Sequence, residues 1–270
     1  MDDKIYSIAD LLRVMERLRD PESGCPWDLR QDFHSIVPST LEECYELAYA
    51  IEHQDYPHVA EELGDVLFQV IFYAQMGREL DLFSFESIVD TLVRKLVRRH
   101  PHVFAGGDIE GVVEGSSSVE DVNESWESIK QSERESRALG GALADVPVSL
   151  PALPRAQKLQ KRAARYNFDW PDPGGVLLKV DEEIAELRDA IAAGSDAEIE
   201  QEMGDLLFTC VNLSRHLGLD AEASLRRSAS RFERRFNHME RVAGDRGEEL
   251  GSLNAEQLDA LWEAAKQAGS

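Results

Sequence analysis

Four carboxylates recur twice in this chain at one fixed spacing. Glu43 and Glu46 form an E-x-x-E pair, fifteen residues follow, and Glu62 and Asp65 form E-x-x-D; Glu183, Glu186, Glu202 and Asp205 repeat the pattern. Positions three apart share a helix face, so each pair presents two carboxylates from one helix. Fifteen residues suffice to end that helix, turn and start back. In the second half, Ala193-Gly194-Ser195-Asp196 suits the turn, with Gly194 as a C-terminal stop and Ser195 or Asp196 as the next N-cap. The two pairs then face each other across an antiparallel hairpin. Four converging anions repel, and burying them unpaired is very costly; a bound cation removes the conflict. All-oxygen ligands select a hard ion, Mg²⁺, with Mn²⁺ as a substitute. Magnesium keeps several waters and is typically completed by substrate phosphates, which points to phosphate-ester or phosphoanhydride chemistry. A lone E-x-x-E is ordinarily a solvated helix face. The same four residues twice, beside apolar runs such as Leu206-Leu207-Phe208, are read as metal ligands. A di-iron centre would use Glu-x-x-His motifs, and the sequence has none.

The elements that must position these groups are helices. Ile5, Ile8, Leu11, Leu12, Met15 and Leu18 fall on one face at spacings of three and four. Similar periodicity predicts helices near 40–53, 58–77, 85–99, 152–166, 176–193, 196–216, 220–243 and 255–267, and alternating strand patterns are absent. The fold class is all-α. Shifted by 140 residues, TLEECYELAYAI (40–51) lies over VDEEIAELRDAI (180–191), and ELGDVLF (62–68) over EMGDLLF (202–208) without a gap. The chain is therefore expected to be a duplicated helical unit, with domains at 1–104 and 151–270. Residues 105–150 hold six Gly, eight Ser, ten acidic and three basic residues. They are expected to be a linker, flexible at its AGGDIEGVVEGSSS start, with a helix around 120–138; Pro147, Pro151 and Pro154 punctuate the entry to the second half.

Composition narrows the function further. The formal net charge of −23 argues against general nucleic-acid binding, which needs a basic footprint; a small polyanion remains compatible once a metal inverts the local field. Cys25, Cys44 and Cys210 are odd in number and form no C-x-x-C, so free thiols in a reducing compartment are expected rather than disulfides or a zinc ribbon. MDDKIYSIADLL lacks the basic start and apolar run of a signal peptide, and Val66 to Phe72 is far too short for a membrane span. The expectation is a soluble cytoplasmic protein with no membrane partner.

With GCPWD (24–28), TLEECYEL (40–47), EELGDVLFQV (61–70) and RRHPHVF (98–104) in one half, the sequence resembles the MazG family of all-α nucleoside triphosphate pyrophosphohydrolases. PALPRAQKLQKRAARYNFDW (151–170), KVDEEIAEL (179–187), EMGDLLFTCVNLSRHLG (202–218) and RFERRF (231–236) carry the resemblance through the other half, in the two-domain form. The resemblance implies hydrolysis of NTPs and dNTPs to the monophosphate and pyrophosphate, broad base tolerance, Mg²⁺, a homodimer and a housekeeping role toward nucleotide pools. It places the family's metal ligands at Glu183, Glu186, Glu202 and Asp205. Nucleotide contacts would fall on Lys179 to Glu183, on the Arg231–Arg235 segment and on Trp262.

The residues themselves agree with this. Lys179 lies one turn before Glu183 and reaches a phosphate beside the metal. Arg231, Arg234 and Arg235 lie at helical spacings suited to phosphate oxygens, or to surface ion pairs. Position 231 is Arg where relatives often have Lys, which keeps the charge and changes the geometry. Trp262 offers a face for a base to stack on, or an anchor for the core. Cys25–Asp28 and Asn167–Trp170 form similar loops near each site or pack aromatics in a turn, and His100 and His102 fit helix-terminal or loop roles. The halves differ around their carboxylates: Lys179 corresponds to Ser39 and Asn212 to Phe72. Asn212, seven residues after Asp205, is expected to hydrogen-bond a sugar or phosphate where Phe72 cannot. The second half is expected to be the main catalytic domain. The other reading from a different class is a nucleotide-sensing or partner-binding helical protein with negligible turnover.

Overall fold

The structure, a computed structural model, describes residues 5–113, 118, 121–122, 125–126, 129, 133, 141–144 and 146–268. It divides into two compact units, Met1–Ser136 and Arg137–Ser270, and within the described residues regular structure is helical throughout.

The first unit holds α1 (Ile8–Leu18), α2 (Val37–Glu52), α3 (Tyr56–Glu79) and α4 (Phe85–Arg99). Local chemistry sets their starts. The Ser7 hydroxyl accepts from the Asp10 N–H while the Asp10 carboxylate accepts from the Ser7 N–H, a capping box. The box starts α1 at Ile8 and leaves Ile5 outside the apolar face predicted for it, 93% exposed. Asp55 caps α3 by accepting from the His58 N–H, and Ser84 caps α4 through Ser87. Helices α2 and α3 lie against each other and α1 packs on α3. Met15, Ile36, Ile71, Phe72 and Met76 form the buried core, with Leu11, Phe33, Phe68, Tyr73 and Phe85 packed around it.

The second unit holds α5 (Ala152–Ala164), α6 (Pro173–Ala193), α7 (Asp196–His216), α8 (Ala221–Asp245) and α9 (Ala255–Ala268). The Asp172 carboxylate accepts from the N–H groups of Gly174 and Gly175, and Pro173 supplies the preset φ of a first helical position. Gly175 also admits the Trp170 ring, whose Cδ1 lies 2.6 Å from where a Cβ would stand. Between α6 and α7, Gly194 adopts φ 70°, the left-handed stop expected of it, and Ser195 is the N-cap by position, without a side-chain capping bond. Helices α6 and α7 lie against each other, α5 packs on α7, and α9 packs on α8. Met239, Ala243, Leu261 and Ala265 make the α8–α9 core, with Leu250, Leu258 and Trp262 against it.

Of the residues between the halves, 105–113 are described as a closed turn. Ala105–Gly107 is one 3₁₀ turn, Phe104 and Val112 form an isolated bridge, and the Ala105 N–H donates to the Gly111 carbonyl at 3.3 Å. The helix expected around 120–138 lies mostly outside the described residues; Asp121, Val122, Ser125, Trp126, Ile129 and Glu133 are helical. Arg98 and Arg99 both donate to the Glu133 carboxylate at 2.6 Å, which holds its pKa down at about 2, first through the Arg99 hydrogen bond.

Candidate active site

The α6–α7 hairpin turns Glu183 and Glu186 toward Glu202, and an oxygen from each lies within 4.8 Å of the other two. Asp205, one turn beyond Glu202, is exposed and stands outside that trio, yet near enough to act on it. Lost hydration raises the Glu202 pKa, and the charges of Glu186, Asp205 and Glu183 push it further, with Lys179 opposing. Glu183 is the deepest of the four at 4% exposure. Lys179 Nζ donates to Oε1 of Glu183 and Oε1 of Glu182, each at 2.8 Å. These bonds, Glu182 first, hold the lysine ammonium well above its ordinary pKa.

The first unit repeats the arrangement on α2 and α3. Glu43, Glu46 and Glu62 bring their oxygens within 4.8 Å of one another, and Glu43 is raised by burial and then by Asp65, Glu46 and Glu62. The group beside this trio is a histidine rather than a lysine. His58 Nε2 lies 2.6 Å from Glu62 Oε1, an i,i+4 pair that the sequence reading passed over. Oε2 of Glu62 is buried and has no hydrogen-bond partner, the condition a coordinated cation would relieve. Pro38, Leu41, Tyr45, Glu46, Tyr49 and His58 are among the residues lining a hollow of about 820 Å³ next to the trio. Both trios offer hard oxygen donors, mutually repelling and only partly solvated, and both can hold a metal ion.

The remaining expected residues fall into two places. Arg231, Arg234 and Arg235 on α8 line a cavity of about 330 Å³, together with His238, Arg241 and Ala265. The Arg235 guanidinium lies 5.8 Å from the Trp262 ring centre, and Phe232 meets the same ring at 5.4 Å. Trp262 is thus half-buried against the α8–α9 core and under a guanidinium. None of the four carboxylates lines this cavity. Asn212 lies on α7 with Glu202, Asp205 and Thr209, at spacings of three and four, but it is only 4% exposed. Its Oδ1 accepts from Arg215 Nε at 3.0 Å and Nη2 at 2.7 Å. Arg215 Nη2 also donates to Asp169 Oδ1, and His216 Nε2 lies 2.9 Å from that same oxygen. The 167–170 loop is fastened to the end of α7 by this cluster. Sequence reading placed the loop near the site and missed Arg215 and His216.

Among the described residues no helix is long and apolar enough to cross a membrane. Fold and site together define an all-α protein that gathers carboxylates on a helical hairpin, twice in one chain, as a metal-binding hydrolase of phosphorylated substrates would. The sequence model of the "MazG nucleotide pyrophosphohydrolase domain" matches residues 31–104 and 174–240. The chain is 48% identical over 264 residues to the nucleoside triphosphate pyrophosphohydrolase of Escherichia coli K12, covering 96% of this chain and 97% of that one. It is 42% identical over 257 residues to the nucleoside triphosphate pyrophosphohydrolase/pyrophosphatase MazG of Thermotoga maritima, covering 95% and 94%. A third relative, the nucleoside triphosphate pyrophosphohydrolase of Mycolicibacterium smegmatis, is 30% identical over 97% of this chain and 72% of its own length. The chain belongs to the MazG family. It is an enzyme, a hydrolase that converts nucleoside triphosphates to the monophosphate and pyrophosphate.

Proposed function

We propose that this reaction takes place with Mg²⁺ at the Glu183 trio of the second unit, within a domain spanning 151–270, and that the 1–104 domain is weaker, differently specific or regulatory. The observation that carries the reading is the buried Glu183 carboxylate, shared between Lys179 and a converging Glu186 and Glu202. Glu183, Glu186 and Glu202, with Asp205 one turn on, would hold the metal, which supplies a water of lowered pKa and charge stabilisation on the phosphates. Glu183 or Glu186 orients the attacking water or accepts its proton. Lys179 is placed to bind a phosphate oxygen beside them. Arg231, Arg234 and Arg235 supply guanidinium groups for phosphate, and Trp262 a ring face for a base of any identity. ATP is among the substrates expected. The test is product analysis on the purified protein across NTPs and dNTPs with Mg²⁺ or Mn²⁺. Pyrophosphate and NMP are expected; orthophosphate and NDP would refute the reading.

The working form is a homodimer in the cytoplasm, with no nucleic-acid or membrane partner. Support for the dimer comes from apolar side chains left exposed on both hairpins: Leu41, Tyr45 and Tyr49 on α2, Leu63 and Leu67 on α3, Leu178 on α6, and Met203 and Leu207 on α7. Two hairpins of this kind complete a four-helix bundle when they meet. Light scattering at micromolar concentration is expected to give twice the 30.3 kDa chain mass; a monomer mass would count against the dimer.

A further inference from the structure

Arginine carries only donors, so the two contacts from Arg215 to Asn212 fix which way the amide faces. Oδ1 of Asn212 must be the atom turned to the guanidinium, since Nδ2 there would set donor against donor. Nδ2 is therefore directed away from Arg215. The guanidinium is itself held by Asp169, which His216 also contacts, so three polar side chains of low exposure maintain one amide orientation. This network fixes the direction in which the amide can donate.

Its position says what that donor meets. Glu202, Asp205, Thr209 and Asn212 form one stripe along α7, and the seven residues from Asp205 to Asn212 span roughly 10 Å of helix. That span matches the reach from the metal-bound phosphates of a nucleotide to its sugar. The first unit has no equivalent. Phe72, fully buried, replaces Asn212, and Gln75, in place of Arg215, donates to Glu79 at 2.9 Å. The guanidinium of Arg19 lies 5.3 Å from the Phe72 ring centre. A core side chain of the first unit stands where the second unit keeps an oriented amide.

We infer that Arg215 is a positioning residue for nucleotide binding: it locks the Asn212 amide so that Nδ2 donates to the 3′-hydroxyl oxygen of the substrate sugar. This rests on the pyrophosphohydrolase reading of the second unit. A 3′-hydroxyl is common to NTPs and dNTPs of every base, so the contact anchors a nucleotide without reading it.

The test is equilibrium binding, with Mg²⁺, of the α,β-methylene analogues of 2′-deoxy-ATP and 2′,3′-dideoxy-ATP to the full chain. Wild type is expected to favour the 3′-hydroxyl analogue by about three- to tenfold, the value of one hydrogen bond. Arg215→Lys, Arg215→Met and Asn212→Ala are each expected to bring that ratio close to one, with helical content and Mg²⁺ dependence unchanged. Arg215→Lys keeps a cation beside Asp169 and His216, so it reports on the amide even where the methionine variant folds poorly. In the Asn212→Ala background, Arg215→Lys is expected to add nothing further to the ratio, an effect that a merely structural role would not show. A wild-type ratio of one, or a ratio that survives Arg215→Lys, overturns the inference while pyrophosphate release leaves the enzyme reading intact. A wild type that binds neither analogue and releases no pyrophosphate overturns both.

Discussion

Replacing Glu183 with alanine is expected to lower pyrophosphate release from ATP by about a hundredfold or more, the usual consequence of deleting one charge-stabilising group. The equivalent change at Glu43 is expected to leave most of the rate. The two residues occupy the same place in the repeat, and each belongs to a carboxylate trio within 4.8 Å. What differs is the surroundings. Glu183 has Lys179 at 2.8 Å and an oriented Asn212 farther along α7. The first unit has Ser39 and the buried Phe72 in those places, and its trio is served by His58. Both variants are expected to stay folded, because the repulsion lost with one carboxylate partly offsets any lost contact. The measurement is the initial rate at saturating Mg²⁺, with circular dichroism as the folding control. An inactive Glu43→Ala beside an active Glu183→Ala would reverse the assignment of the catalytic unit. Full activity in both would remove the carboxylate–metal mechanism altogether.

Chelation is the second large effect. Stripping divalent ions with EDTA is expected to abolish pyrophosphate release, and Mg²⁺ or Mn²⁺ to restore it. In their absence each trio faces itself: lost hydration first, and then the neighbouring carboxylate charges, raise the pKa values of Glu43 and Glu202. A cation stabilises the folded protein by binding it preferentially, about 2.7 kcal/mol at a hundredfold excess over Kd. The same titration should therefore raise the melting temperature, most strongly with a non-hydrolysable nucleotide present. Undiminished turnover after thorough chelation, or a melting curve indifferent to metal and nucleotide together, would contradict this.

The helices were legible in the sequence because apolar periodicity runs along them and Gly194 marks a stop at the 193–196 turn; the caps at Ser7 and Asp172 were not read, which is why Ile5 was expected on the first helix. The expected helix at 196–216 has the bounds observed for α7, and the one at 176–193 starts three residues inside α6, where Pro173 and two glycines hide the first turn. The carboxylate trios were legible because helical spacing is local and the repeat states it twice. What escaped notice depends on contacts between distant positions. Asp169 and Arg215 are 46 residues apart, and nothing in NFDW or NLSRHLG announces that they meet. Asn212 could be placed on the carboxylate face of α7 from spacing alone, but its burial and the capture of its carbonyl oxygen could not. The separation of the arginine cavity from the carboxylates within the second unit is likewise a matter of packing between α8 and α9.

With Lys179 bonded to Glu182 and Glu183, the site proposed for the second unit would act as an ion exchanger. A divalent ion entering the trio competes with an ammonium already seated on its deepest ligand, so its binding is net of breaking that pair. In the proposed site a triphosphate would return the displaced lysine to an anion. Metal and nucleotide should consequently strengthen each other's binding by the same factor, as linkage requires, and either alone should bind more weakly than both. Raised ionic strength loosens the half-exposed Lys179–Glu182 contact first. The first unit has Ser39 in that position, and the group seated on its trio is the His58 imidazole, on Glu62.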